Sequence, residues 1–200
     1  MPRKYLLLAA VVLVIVVLDQ WTKYLVTSEL TTQFDGRPGL GSRLAALYGE
    51  VPPAAADGNH FRTRRFITVS ERFFRLRYAE NTGAAWGLFR TLPENVRGPL
   101  FHLVSLGAVA LISFYFSRLS GTDRAERWAL YGLPLVMGGA LGNYVDRLAR
   151  GFVIDFLEAH WMDRVAWPSF NVADTAISIG VGMLVVDAFV RRERKAKVGG

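Results

Sequence analysis

Apolar and polar positions fall into long blocks along this chain. Residues 5–18, YLLLAAVVLVIVVL, are apolar without a break, and apolar residues continue to Val26 around Asp19 and Lys23. At 1.5 Å per residue a helix over 5–26 is about 33 Å long, enough to cross a bilayer. Blocks at 98–117, 128–146 and 172–190 predict three further spans. Gly138 and Gly142 stand four apart in the third, a spacing that lets helices approach closely, and Pro134 is placed to kink it. Gly180 and Gly182 offer small contacts in the fourth. Arg3 and Lys4 resemble the charged start of a signal peptide. No small-x-small cleavage site follows, because the apolar run leads into DQWTKYLV, so an uncleaved anchor is expected.

Between the first two blocks the pattern changes. Residues 31–64 are rich in Gly, Pro and Ala with weak periodicity, and read as an extended surface insertion that adds little to a membrane core. From Arg65 the run FITVSERFFRLRYA alternates: Phe74, Leu76 and Tyr78 are separated by Arg75 and Arg77. This predicts a half-buried strand, with FITV as its hairpin partner and Ser70–Arg72 at the turn. NTGAAWGLF follows, whose small residues suggest a close backbone approach. The expected fold is an α-helical membrane protein, one domain over 1–200, with four transmembrane helices and a small β-sheet between the first and second.

Charge sets an orientation. The net charge is +7. The basic residues flank apolar blocks or crowd the C-terminus, so a membrane surface is the expected partner and nucleic acid is not. Arg3 and Lys4, then Arg118, Arg124 and Arg127, then the tail RRERKAK fall on one side of a four-span chain. By the positive-inside rule both termini are cytoplasmic, and the strand-forming segment and the 147–169 connection lie outside. There is no Cys, which excludes disulfides, thiolate metal sites and a Cys nucleophile.

Three carboxylates, Asp146, Asp155 and Asp174, lie in or beside apolar blocks. At the centre of a spanning helix each would cost roughly 2.5–3.5 kcal/mol, so such groups are usually functional. Asn143 and Asn171 precede Asp146 and Asp174 by three residues, which on a helix puts each Asn and its Asp on one face. Asp155 sits in apolar VIDF with no adjacent Lys or Arg, on the connection between the third and fourth spans. Asp174 sits near a helix N-terminus. Such unlike settings separate the proton affinities of two carboxylates, as acid–base work on a water requires. One would take a proton from the water while the other, protonated, polarises a carbonyl.

Blander assignments apply elsewhere. Asp19 and Lys23 share a helix face and read as a neutral pair snorkelling at the outer interface. His102 reads as interfacial, and Asp187 with Arg191 as a boundary ion pair. Asp146 can pair with Arg147 or Arg150. Asp146, Asp155, Asp163 and His160 could instead hold Mg²⁺ or Mn²⁺. DRLARGFVID contains the Gly-x-x-x-Asp part of membrane alcohol phosphotransferases but lacks their Asp-Gly-x-x-Ala-Arg part. A non-catalytic scaffold, in which Asp and Asn only stitch helices, is the third reading. GxSxG, HExxH, P-loop and dinucleotide motifs are all missing.

Four blocks resemble the lipoprotein signal peptidases (signal peptidase II), aspartic proteases of the bacterial cytoplasmic membrane. They are Asp19-Gln20-Trp21-Thr22-Lys23, Asn81 to Gly87 (NTGAAWG), Gly142-Asn143-Tyr144-Val145-Asp146-Arg147 running on to Val153-Ile154-Asp155-Phe156, and Phe170-Asn171-Val172-Ala173-Asp174. They occur in the family's order across nearly the whole chain. The resemblance implies that Asp155 and Asp174 are the catalytic pair. It implies that Asn143, Asp146, Arg147 and Asn171 surround them, and that Asp19, Lys23, Asn81 and Gly83 shape the site. It further implies an extracytoplasmic sheet cradling the substrate. The absence of Cys and of a His cluster, with the carboxylates placed for a dyad, argues separately for catalysis without a metal or other cofactor, and a monomer is expected. The implied reaction is removal of a prolipoprotein signal peptide just before a diacylglyceryl-modified Cys. Trp86 stands where the family more often has Phe, and 31–64 is longer than the family pattern.

The orientation is testable in this Cys-free chain. A single Cys introduced near Gly58 is expected to react with an impermeant thiol reagent in intact cells. Labelling of a Cys at Gly200 instead would reverse the topology.

Overall fold

The computed structural model describes residues 3–55, 58–83, 88–89, 91–162 and 164–198, with side chains as far as Arg192. Residues 84–87, with Trp86, and Asp163 lie outside the described residues, as do the side chains of the basic tail beyond Arg192. In chain order the elements are α1 (Arg3–Leu30), α2 (Gly39–Tyr48), β1 (Ile67–Ser70), β2 (Phe74–Asn81), α3 (Glu94–Arg118), α4 (Arg127–Arg150), β3 (Val153–Trp161), β4 (Val165–Ala166) and α5 (Val172–Val198). Among the described residues three helices are long and apolar enough to cross a membrane: α1, α3 and the Val172–Arg192 part of α5. The third predicted span is helical, as α4, but Asn143, Asp146, Arg147 and Arg150 load its second half with polar groups.

The fold has two compact units. The first comprises Met1–Leu18, Leu103–Gly142 and Val172–Gly200. Its core is Ile112, Phe116, Leu119, Ala129, Leu133 and Met137, against which Tyr5, Leu8, Val12 and Leu184 pack. Leu13, Val14, Leu103, Leu111 and Phe189 stay exposed, an apolar surface suited to lipid. Glycines set the helix spacing. A methyl group on Gly180 would lie 2.7 Å from the Gly132 carbonyl oxygen, and one on Gly132 would lie 2.9 Å from the Gly180 carbonyl oxygen. Gly138 abuts Ile15 and Val12, and Gly139 abuts the Ala173 carbonyl. Gly182 faces open space, so the small contact expected of it is not made. Asp187 and Arg191 form the expected ion pair at 2.6 Å, and Asp187 also accepts from the Ala129 N–H.

The second unit comprises Asp19–His102 and Asn143–Asn171. Its sheet is antiparallel in the order β1-β2-β3-β4. The β1–β2 hairpin turns at residues 71–73, close to the prediction. The sheet is not confined to the segment between the first two spans, because β3 and β4 come from the connection between α4 and α5. Asp155 therefore lies on a strand and not on an irregular loop. VIDF is apolar at four successive positions of β3 but for Asp155 because both faces of that strand are covered: Val153, Ile154, Asp155 and Phe156 are all buried.

The insertion is more ordered than its composition predicts. It contains α2, and Phe34, Ala46, Leu47 and Phe61 are buried in this unit. Thr31 bridges to Thr63, Thr32 N–H donates to the Arg62 carbonyl at 3.0 Å and Arg64 N–H to that of Leu30 at 2.7 Å. The two ends of the insertion thus meet in a paired neck. Ten residues containing two glycines and a serine give too short a periodic signal to announce α2 in the sequence.

The glycine contacts predict a specific sensitivity. Gly180→Leu must push apart two helices whose backbones touch, and overpacking of this kind costs typically 1–3 kcal/mol. A lowered thermal midpoint in detergent is expected for Gly180→Leu, while Gly182→Leu should melt like the wild type.

Candidate active site

The buried end of α1 and the second half of α4 meet in an ionic network. Asp19, Lys23 and Asp146 have no exposed surface, and Arg150 has almost none. Lys23 Nζ lies 2.7 Å from Asp19 Oδ2, 2.8 Å from Asp146 Oδ2 and 3.3 Å from Asn143 Oδ1, so its three N–H donors meet three acceptors. Arg150 pairs with Asp146 Oδ1, which also accepts from Gln20 Nε2 at 2.8 Å. Two carboxylates face two cations, the condition under which buried charge is tolerable. The Asp19–Lys23 pair is thus an interior element, and the snorkelling pair expected at the interface is corrected. Of the two arginines offered to Asp146, Arg150 forms the ion pair recorded here.

Amides carry this network to Asp155. Asn143 Oδ1 accepts from both Lys23 Nζ and Asn171 Nδ2, the latter at 3.1 Å. Asn171 Nδ2 also donates to Asp155 Oδ1 at 2.8 Å, and Asn81 Nδ2 donates to Asp155 Oδ2 at 3.1 Å. Asn81 Oδ1 accepts from the Gly83 N–H at 3.0 Å, which turns the amide so that its NH₂ faces the carboxylate. Arg147 Nη2 donates to the Gly83 carbonyl at 3.1 Å, and its guanidinium lies 4.4 Å from the centre of the Phe101 ring. Asp155 is 3% exposed, but it is not the partnerless carboxylate its apolar neighbours suggested. Two amides fix its plane.

A β-bulge decides which residue does this. Leu76 pairs with Leu157 and Ala79 with Asp155, so three steps along β2 match two along β3. Beyond the bulge Asn81 sits opposite Val153, on the face that carries Asp155. Unbulged pairing would put Glu80 there instead. Glu80 points the other way and ties down the end of the insertion. Its carboxylate accepts from the His60 N–H at 2.7 Å, the Phe61 N–H at 2.9 Å and the Tyr78 hydroxyl at 2.9 Å, and meets His60 Nδ1 at 2.7 Å. Burial, and then the Glu80 charge, push the Tyr78 hydroxyl well above its ordinary value, so it remains a donor.

Asp174 belongs to the other unit. It is half-buried in the first turn of α5, and Asn171 stands immediately before that helix. Among the described residues the alternative metal ligands do not gather. Asp146 is engaged by Lys23 and Arg150, and His160 lies on the face of β3 opposite Asp155. Asp163 lies outside the described residues. His102 stacks edge-on against Tyr144 with its ring centre 5.6 Å away.

Residues 11–190 match the family described as Signal peptidase (SPase) II. The chain belongs to the signal peptidase II family. The lipoprotein signal peptidase of Anaeromyxobacter sp. is 45% identical over 190 residues, covering 92% of this chain and 84% of that protein. That of Geobacter sulfurreducens is 35% identical over 196 residues, covering 98% and 99%. A solved structure described as a bacterial membrane enzyme determined by the in meso method has a TM-score of 0.64 at 21% identity, covering 94% of this chain and 90% of that one. At that identity the likeness speaks to fold. This signal peptidase II family member is a membrane-bound peptidase, and the phosphotransferase reading is set aside.

Some participants were not singled out from the sequence. Gln20 lay inside a motif without a role. Tyr48, His60 and Glu80 lay in or beside segments read as loop or strand, and only the break in alternation at the successive apolar residues Tyr78 and Ala79 could have pointed to the bulge.

For this peptidase the ionic network predicts a compensating pair. Lys23→Met leaves two buried carboxylates facing one cation, and breaking such a pair costs about 3–5 kcal/mol. Its melting temperature in detergent should fall sharply, and adding Asp19→Asn should recover most of the loss.

Proposed function

We propose that this chain cleaves signal peptides from prolipoproteins, cutting before a Cys that already carries diacylglycerol, with Asp155 and Asp174 as the acid and base. The observation that carries this reading is the constraint on Asp155. A buried carboxylate is held in one plane by Asn81 and Asn171, and Asn171 ends three residues before Asp174. The relatives' name supplies the substrate class.

In the proposed reaction a water sits between the two carboxylates. The ionised one takes the water's proton as the oxygen bonds to the scissile carbonyl carbon. The protonated one polarises the carbonyl. Collapse breaks the C–N bond, and the amine leaves with a proton. Asn143, Asp146, Asn171, Asp19 and Lys23 keep the frame rigid, while Asn81, Gly83 and Arg147 shape the approach of substrate. No metal is required.

Four spans with cytoplasmic termini complete the reading, in one monomeric domain of the bacterial cytoplasmic membrane. Sixteen residues of α5 separate Asp174 from Val190, roughly 24 Å of helix, which would set Asp174 near the outer edge of the hydrocarbon. A lipidated Cys keeps its acyl chains in that hydrocarbon, so its preceding peptide bond would lie at about this depth. Lipid thereby contributes positioning.

Purified wild type, Asp155→Asn and Asp174→Asn should be compared on a diacylated prolipoprotein. Each variant is expected to fold and to lose turnover by about three orders of magnitude or more, with the double variant little worse than either single one. The wild-type rate should follow a bell-shaped pH dependence that belongs to the pair, and should persist in excess EDTA. Near-wild-type turnover by either variant would overturn the dyad assignment, and Asp146 would be the next residue to test.

A further inference from the structure

Arg150 does more than neutralise Asp146. Its side chain has no exposed surface, and it reaches three groups on two elements. Nη2 pairs with Asp146 Oδ1, Nη1 donates to the Leu47 carbonyl at 3.1 Å, and the guanidinium lies 5.1 Å from the centre of the Tyr48 ring. Leu47 and Tyr48 are the last two residues of α2, where a cation also complements the helix dipole. The Tyr48 hydroxyl donates to Gln20 Oε1 at 2.8 Å, and Gln20 Nε2 donates to Asp146 Oδ1. Two routes therefore lead from the end of α2 to one carboxylate. From there the path continues into β3: Asp146 Oδ2 accepts the N–H of Ile154 at 3.1 Å, and Ile154 precedes Asp155.

We infer that Arg150 is a positioning residue that couples the docking of α2 to the placement of Asp155. The inference rests on the proposed role of Asp155. Arginine suits the task because its planar fork serves a carboxylate and a carbonyl at once while its face stacks on a ring. A lysine ammonium could keep the pair with Asp146, yet it would lose the stacking and one fixed donor direction. When α2 is docked, Arg150 is drawn against Leu47 and Tyr48 and holds Asp146 over the Ile154 N–H. When α2 is released, Asp146 loses donors on Oδ1 and the start of β3 loses its anchor. The insertion then acts on the rate through the frame of Asp155, and not solely by touching substrate.

The test uses the full chain, reconstituted in detergent, as Arg150→Lys and Tyr48→Phe. Two quantities are read separately. Native-state trypsin cleavage after Arg43, inside α2, reports release of that helix. Steady-state kinetics on a diacylated prolipoprotein report kcat and KM. Arg150→Lys is expected to melt close to the wild type, to be cut in α2 at least about tenfold faster, and to lose about 10- to 100-fold in kcat with KM changed less than about threefold. Tyr48→Phe should shift both quantities the same way by a smaller factor. If Arg150→Lys fails to fold, Tyr48→Phe carries the test alone. Unchanged kcat in the folded variants overturns the coupling, as does a fall in kcat without faster cleavage of α2, or a rise in KM at constant kcat. Asp155→Asn is run beside them: retained turnover there defeats the assignment of Asp155, whereas an inactive Asp155→Asn with an unaffected Arg150→Lys defeats only the coupling.

Discussion

The second unit depends on one buried carboxylate. Asp146 accepts from Gln20 and Arg150 on one oxygen and from Lys23 and the Ile154 N–H on the other. Through these donors a single side chain binds α1, the last turn of α4 and the first residues of β3. A charge in this position is unstable unless every lone pair is used and the net charge is cancelled. Both conditions hold, and each removes freedom from the groups involved. Lys23 has no donor left over, Asn143 is pulled between Lys23 and Asn171, and Asn171 is thereby set on Asp155. Rigidity at Asp155 is thus inherited from an ionic network.

The first unit solves a different problem by different means. Its helices have little polar glue, and their spacing comes from bare backbone at Gly132, Gly138, Gly139 and Gly180. Lipid supplies no hydrophobic force to press helices together, so close packing must do so. Asp187 with Arg191, and Lys4 donating to the Ser117 carbonyl at 3.0 Å, are polar contacts at helix ends.

Much of this was legible in the sequence because burial in a membrane protein writes itself as unbroken apolar blocks. The four long helices, the hairpin over 67–81 and the polar residues embedded in apolar runs all followed from local pattern. What escaped depends on long-range pairing. The sequence shows Asp19 and Lys23 sharing a helix face, but not that Asp146 and Asn143 approach from a helix more than a hundred residues away. It shows Asp155 without charged neighbours, but not that Asn81 and Asn171 reach it from other elements. VIDF gave an apolar run too short to tell a strand from a loop edge. In 31–64, Gly and Pro disguised a helix whose stability comes from its docking, since an isolated ten-residue helix is marginal.

Two features of the second unit differ in how they respond to a change of chain length. The neck at Thr31 and Thr63 pins the ends of the insertion, so residues added between them enlarge a closed loop at an entropic cost that grows only logarithmically. The bulge between Leu76 and Ala79 works by parity. Gain of one more residue there would rotate the rest of β2 by half a turn about its axis, presenting a carboxylate to Asp155 in place of an amide and withdrawing Glu80 from the base of the insertion. Natural drift in this chain is therefore free to accumulate as length in one segment, while the frame of eight residues in β2 is closed to it.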